Sequence, residues 1–110
     1  MDELLAGGDI DLLTIRQEHN PAFPGIARPE PIPPYTDELG EAVRDTSAAV
    51  GIVHDGDADR LGIVDENGDF IDQLRVMSLL AYYLLEYTTP RGPIVRTVTT
   101  SSMLDRLPND

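Results

Sequence analysis

The sequence predicts a mixed α/β fold of the three-layer type, in which a β-hairpin carries an acidic loop. Two observations indicate this class. Short apolar runs typical of strands alternate along the chain with amphipathic segments of helical length. In addition, an Asn-Gly pair at positions 67 and 68 separates two of the apolar runs, and this dipeptide is the strongest short-range signal for a hairpin.

The first third of the chain is predicted to contain the end of a helix, one strand and a long connection. Residues 2–6 have helical character and stop at Gly7-Gly8, where glycine can adopt the left-handed conformation that closes a helix. Residues 10–15 form an apolar run that predicts a buried strand. Six of the nine prolines fall between positions 20 and 34, which predicts an extended connection because proline cannot donate a ladder hydrogen bond.

The middle third is predicted to contain a helix followed by three strands. Thr36 is a suitable N-cap for the helix, because hydroxyl side chains accept hydrogen bonds from the first turn and acidic residues follow it here. Strands are expected at residues 48–53, at residues 61–64 and from residue 70 onward. The last two of these strands form the hairpin around the Asn-Gly turn.

The last third is predicted to contain one long helix, a strand and the start of a second helix. Asp72 can cap a helix from Gln73 to about Glu86, which is apolar on most faces and should be largely buried. Residues 93–98 predict a strand, and Ser102 with Asp105 has the spacing of a capping box that opens a last helix. Both chain ends resemble interrupted elements, so we expect a fragment that spans two half-domains of a larger protein.

Composition excludes several classes of function. The chain has 110 residues, of which 20 are acidic and 8 basic, giving a net charge of -12. Such a surface repels phosphate backbones and anionic lipids, so we expect neither nucleic acid nor a membrane as partner. Cysteine is absent, which excludes disulfide scaffolds, cysteine-zinc sites and thiol nucleophiles. The chain lacks a basic signal-peptide start and a bilayer-length apolar stretch, so a cytoplasmic location is predicted.

The segment from Asp55 to Arg60 is the strongest candidate for chemistry. Asp55, Asp57 and Asp59 alternate with small residues, and in an extended chain alternate side chains point the same way, so three carboxylates can converge. Oxygen ligands suit a hard cation such as Mg²⁺, which often shares its ligands with a phosphate. The planar guanidinium of Arg60 suits a phosphoryl oxygen. The sequence therefore predicts a Mg²⁺ and phosphate site; the alternative interpretation is a solvated acidic loop.

The acidic segment also fits, in part, three other kinds of site. An EF-hand loop is rejected because Arg60 stands at the position that requires glycine. A haloacid-dehalogenase-type phosphatase, with Asp55 as nucleophile, fits the Asp-x-Asp spacing, but Arg60 replaces the hydroxyl residue expected shortly afterwards. An inactive metal-binding or interaction module also stays open.

Glu18 precedes His19-Asn20-Pro21 where a phosphoserine loop would have its serine, so this segment is interpreted as a turn.

The segment from Asp55 to Arg60 resembles the metal-binding loop of the α-D-phosphohexomutases, the phosphomannomutase/phosphoglucomutase family. Phe23-Pro24-Gly25 followed by Pro29-Glu30-Pro31 resembles the segment that precedes this loop in the family. The apolar residues on both sides of the loop also fit. The resemblance implies that residues 1–71 are the C-terminal part of domain 2, including the metal loop, and that residues 72–110 are the N-terminal part of domain 3.

The resemblance also implies an activity. Phosphohexomutases are isomerases of carbohydrate metabolism that move a phosphoryl group between C1 and C6 of a hexose phosphate through a phosphoserine. Asp55, Asp57 and Asp59 would hold Mg²⁺ against that phosphoserine, and Arg60 would contact the phosphate. The phosphoserine loop is absent from these residues, so we expect no catalytic residue among them and no activity from the fragment alone.

The expected partners follow from the same resemblance and from the predicted strands. They are a hexose phosphate in the full-length enzyme and the missing domains of the same protein. Cutting two α/β domains leaves unpaired strand edges, which recruit other chains. We therefore also expect a homo-oligomer formed through exposed edges.

Overall fold

The computed structural model describes residues 5, 7–89 and 92–107. Helix α1 spans Asp37–Thr46, and three strands follow it: β1 at Gly51–His54, β2 at Leu61–Val64 and β3 at Phe70–Ile71. Helix α2 spans Gln73–Tyr87, and a short 3-10 helix spans Ser102–Arg106. The predicted mixed α/β class, with a hairpin that carries the acidic loop, is confirmed. None of the described helices has both the length and the apolar character needed to cross a membrane.

The three strands form one antiparallel sheet in the order β1-β2-β3. Gly51 pairs with Val64 and His54 pairs with Leu61, while Ile63 of β2 pairs with Ile71 of β3. The first strand begins at Gly51 and not at the predicted residue 48. The amide of Ala48 is already used to close α1, because it donates to the carbonyl of Val43 at 3.1 Å.

Helix α1 packs against one face of the sheet. Val43 is 2% exposed and Val64 1% exposed, and these two side chains form the centre of the described core. A side chain on Gly51 would place its Cβ 2.8 Å from Val43 Cγ2 and 2.9 Å from Leu39 Cγ. The helix therefore lies directly on β1, at a distance that only glycine permits.

The proline-rich connection crosses the same face of the sheet. Gly62 pairs with Val53 in the ladder, and a Cβ on Gly62 would lie 2.5 Å from the backbone oxygen of Pro31. Pro31 is itself fully buried. The predicted connection is therefore confirmed, and it is held against the sheet by a backbone contact.

The turn between β2 and β3 confirms the predicted hairpin. Gly68 has a φ of +80° and its amide donates to the carbonyl of Asp65 at 3.0 Å. The Asp65 carboxylate accepts from the amides of Asn67 and Asp69, both at 2.9 Å. Arg44 of α1 donates to the carbonyl of Gly68 at 3.3 Å, so the turn is also joined to the helix.

Helix α2 begins as predicted but is packed differently. The Asp72 carboxylate accepts from the amides of Leu74 and Arg75, at 3.0 and 3.1 Å, which confirms the cap. The prediction of a largely buried helix is wrong, because Val76 and Ser78 are its buried residues. Eight large apolar side chains of α2 are exposed: Leu74, Met77, Leu79, Leu80, Tyr82, Tyr83, Leu84 and Tyr87. A helix that is apolar on most faces needs partners on most faces, and the described residues pack against only part of it.

Two predicted strands are absent from the described residues. Residues 10–15 are irregular and exposed, and so are residues 93–98, where Val95 is 91% exposed. Apolar periodicity indicates a strand only if another strand satisfies its backbone groups, and no described strand pairs with either segment. Of the predicted helical residues 2–6, all except Leu5 lie outside the described residues.

Two predicted helix caps differ from the structure in detail. Thr36 stands at the N-cap of α1, but its side chain makes no capping hydrogen bond. The last helix is a 3-10 helix whose N-cap is Ser101, which accepts from the amide of Met103 at 3.1 Å, and not Ser102. Asp105 is not part of a capping box, because its carboxylate pairs with Arg96 at 2.7 and 3.0 Å.

Candidate metal centre

The acidic loop connects β1 to β2. Its base is closed by the amide of Asp55, which donates to the carbonyl of Arg60 at 3.4 Å. Inside it, the amide of Ala58 donates to the carbonyl of Asp55 at 3.2 Å, and Ala58 has a φ of 59°. The loop is therefore a tight turn with one left-handed residue, and not the extended segment that the alternating aspartates predict.

The three predicted carboxylates converge on this turn. Asp55, Asp57 and Asp59 each place one oxygen within 4.8 Å of the other two. Asp55 is buried, whereas Asp57 and Asp59 are exposed. The turn thus produces one fixed carboxylate at the base and two accessible ones above it.

Asp55 is fixed by the neighbouring arginine. The Asp55 side chain is 1% exposed, and its Oδ2 accepts from Arg60 Nε at 2.7 Å. Its Oδ1 accepts from the Arg60 amide at 3.2 Å. Burial raises the pKa of Asp55, but the hydrogen bonds from the side chain and backbone of Arg60 outweigh it and lower the pKa to about 2. Asp55 is therefore ionised at neutral pH.

Asp59 has the opposite electrostatic environment. A hydrogen bond shared with Asp55 raises the pKa of Asp59, and the negative charges of Asp57 and Asp55 raise it further. Like charges in one site disfavour ionisation, and a bound cation relieves that repulsion. A hard divalent cation such as Mg²⁺ fits this donor set, because all the ligand atoms are carboxylate oxygens.

Arg60 makes contacts to three carboxylates. Besides Asp55, its Nε lies 3.5 Å from Asp59 and its Nη1 lies 3.6 Å from Glu30. The guanidinium is about half exposed, so it keeps a solvent-facing surface. Its predicted contact with a phosphate stays a prediction.

The segment with Phe23 and Pro29 supports the loop. A Cβ on Gly56 would lie 3.0 Å from Phe23 Cζ and 3.6 Å from Pro29 Cγ, so the aromatic ring packs directly on the turn. The family resemblance of this segment did not predict its contact with the loop. The small residue at Gly56, inside an otherwise charged loop, is the signal that could have indicated a close neighbour.

His54, the last residue of β1, makes a local hydrogen bond to the loop that follows it. Its Nδ1 donates to the carbonyl of Asp55 at 2.8 Å.

A groove of about 740 Å³ lies beside the loop, between Asp59 and Arg60 on one side and Met77 and Leu80 of α2 on the other. The exposed side of the loop therefore opens onto a partly apolar space.

Known proteins match much of the chain. Residues 1–68 match the family described as phosphoglucomutase/phosphomannomutase, alpha/beta/alpha domain II. A Pyrococcus furiosus protein named "Probable phosphoglucosamine mutase" is 45% identical over 76 residues, covering 69% of this chain and 17% of the relative. Proteins of the same name from Methanothermobacter thermautotrophicus and Methanosphaera stadtmanae are each 36% identical, over 90% and 94% of this chain.

The match covers only part of those relatives. The chain spans 17% of the Pyrococcus furiosus protein, 20% of the Methanothermobacter protein and 21% of the Methanosphaera protein. No solved structure matches the chain.

Proposed function

The chain belongs to the phosphoglucomutase/phosphomannomutase family, and we propose that it is the part of a phosphohexomutase that carries the Mg²⁺-binding loop. The observation that carries this proposal is the convergence of the Asp55, Asp57 and Asp59 oxygens within 4.8 Å on one hairpin. An acidic loop is common on a surface this negative. A loop with one buried, ionised carboxylate that pairs with an arginine, beside two exposed carboxylates, is a more specific sign of a functional site.

The activity of the whole enzyme is proposed from the family. It would transfer a phosphoryl group between C1 and C6 of a hexose phosphate through a phosphoserine provided by a different part of the enzyme. The matched relatives are named for phosphoglucosamine, so glucosamine phosphate is the first substrate to test. Residues 1–71 would belong to domain 2 and residues 72–110 to domain 3, and the 110 residues alone would be inactive.

Each residue of the loop has a distinct role in this proposal. Asp55 provides a ligand whose charge and position are fixed before the cation binds, since Arg60 orients it. Asp57 and Asp59 complete the donor set from the exposed side. Bound Mg²⁺ would neutralise charge on the transferring phosphoryl group. The half-exposed guanidinium of Arg60 would donate to a phosphoryl oxygen.

The geometry argues against the phosphatase alternative. A nucleophilic aspartate needs a carboxylate oxygen with high electron density. Both oxygens of Asp55 accept hydrogen bonds from Arg60, which weakens the carboxylate as a nucleophile but leaves a lone pair on each oxygen for a cation. The measurement that decides is hydrolysis of a generic phosphate ester by this chain. Hydrolysis that Asp55→Asn abolishes would favour the phosphatase over the mutase.

Mg²⁺ titration tests the metal site directly. We expect weak, saturable binding by calorimetry or NMR, and a loss of affinity of about tenfold or more in Asp57→Ala. Asp69→Ala is the matched control, because it removes one exposed aspartate from the neighbouring turn and should bind like the wild type. Identical responses of the wild type and Asp57→Ala to Mg²⁺ would show that the assignment of the metal site is wrong.

A further inference from the structure

We propose that Glu30 is a positioning residue of the acidic loop, whose carboxylate holds the Arg60 guanidinium in the orientation that clamps Asp55. This inference rests on the proposed function for its consequence on metal binding. The contact itself is a feature of the fold, because it joins the proline-rich connection to the end of the loop.

The guanidinium of Arg60 is held from two sides. Its Nε donates to Asp55 at 2.7 Å, within the loop. Its Nη1 lies 3.6 Å from Oε1 of Glu30, which belongs to a different segment of the chain. The 3.6 Å separation is an ion-pair distance, and attraction at a second nitrogen favours the orientation in which Nε donates to Asp55.

The backbone around Glu30 is well placed for this role. Pro31, on one side, is fully buried, and its carbonyl oxygen lies against Gly62 of β2. Pro29, on the other side, lies against Gly56 at the tip of the loop. Two prolines fix φ at both neighbours, so little conformational entropy is lost when the carboxylate meets Arg60. The Glu30 side chain is accordingly only 28% exposed.

The contact limits how far Arg60 can turn toward the accessible carboxylates. Arg60 Nε already lies 3.5 Å from Asp59, and a guanidinium released from Glu30 can turn further toward Asp59 and Asp57. A guanidinium on those oxygens competes with a divalent cation for the same lone pairs. Glu30 therefore leaves the two exposed carboxylates available to the metal.

A double-mutant cycle measures whether Glu30 acts through Arg60. We expect Glu30→Gln to weaken Mg²⁺ binding by roughly two- to fivefold, the range of a partly exposed ion pair. The control Glu66→Gln makes the same change of charge on the β2–β3 turn and should leave binding unchanged. In an Arg60→Ala background, Glu30→Gln should cause no further loss. An equal loss in both backgrounds, or none in the wild type, would overturn the proposal.

A second measurement needs no metal. The Nε–H resonance of Arg60 should exchange faster with solvent and relax as a more mobile group in Glu30→Gln, but not in Glu66→Gln. An unchanged resonance would overturn the positioning role whatever the metal does. If the resonance changes while the wild-type chain shows no response to Mg²⁺, the positioning of Arg60 stands and the proposed metal function fails.

Discussion

Two regions of the molecule both contain apolar residues but bury them to very different extents. In the hairpin half (residues 29–71), α1 and the proline-rich connection cover one face of the sheet, and Val43 and Val64 are almost completely buried. In the helical half (residues 72–89 and 92–107), α2 leaves Leu79 and Leu84 each 55% exposed. Apolar sequence therefore makes a core only where a second element is present to cover it.

The two halves also differ in how closely their backbone segments approach each other. Gly62 meets Pro31 in the hairpin half, and Gly40 of α1 lies against Gly68 of the β2–β3 turn. In the helical half, a Cβ on Gly92 would meet nothing within 4 Å. The candidate metal centre is built on the half with close backbone contacts, which is where carboxylates can be held in a fixed geometry.

The largest effect that tests this contrast is expected for Gly62→Ala. Its Cβ would lie 2.5 Å from the Pro31 carbonyl oxygen, so two backbone segments must separate. We expect a loss of about 3 kcal/mol in the free energy of unfolding, measured by urea denaturation. Gly92→Ala is the matched control and should change stability by less than about 0.5 kcal/mol. Equal effects of the two substitutions would remove the distinction between the halves.

A second pair of substitutions compares a buried side chain of the hairpin half with a half-exposed side chain of the helical half. Val43→Ala removes two methyl groups from a site that is 2% exposed, and we expect a loss of about 2 kcal/mol. Leu80→Ala removes more atoms, but its side chain is about half exposed, so the loss should stay near 0.5 kcal/mol. Thermal or urea unfolding of both variants measures the difference. A larger loss for Leu80→Ala would mean that α2 contributes more to the core than its exposure indicates.

What the sequence predicted correctly was mostly local. The Asp72 cap and the Asn67-Gly68 turn depend on residues within four positions of each other, so their chemistry is readable from the sequence. The strands predicted at residues 10–15 and 93–98 are absent because a strand needs a partner that no local pattern specifies. The contact of Glu30 with Arg60 joins residues thirty positions apart and has no sequence signal.

The acidic loop is an intermediate case. Its three aspartates were expected to converge because alternate residues of an extended chain share a face. They do converge, but through a turn in which Ala58 is left-handed. Composition and spacing therefore indicated the cluster, whereas the backbone conformation that forms it depends on the loop closure between Asp55 and Arg60.

A smaller effect is expected on the free energy of unfolding at acidic pH. The pKa of Asp55 is lowered to about 2 in the folded chain, from 3.8. A group with a lowered folded pKa stabilises the protein above its unfolded pKa, and this contribution is lost as pH falls from about 4 toward 2. Stability measured by denaturation across this range should fall less steeply in Asp55→Asn than in the wild type. Parallel curves would show that the clamp on Asp55 does not contribute to folding.

The last prediction concerns self-association, which tests the helical half most directly. It involves the smallest change in the stability of a single chain. The exposed apolar face of α2 favours association with a second chain, while the net charge of -12 opposes it and salt screens that repulsion. We expect a dimer or larger species that increases with salt in light scattering. The substitution Leu79→Gln should lower association while changing the free energy of unfolding by less than about 0.5 kcal/mol, because the Leu79 side chain is 55% exposed. A monomer of 12.1 kDa at every salt concentration, with cooperative melting, would instead show that this face needs no partner.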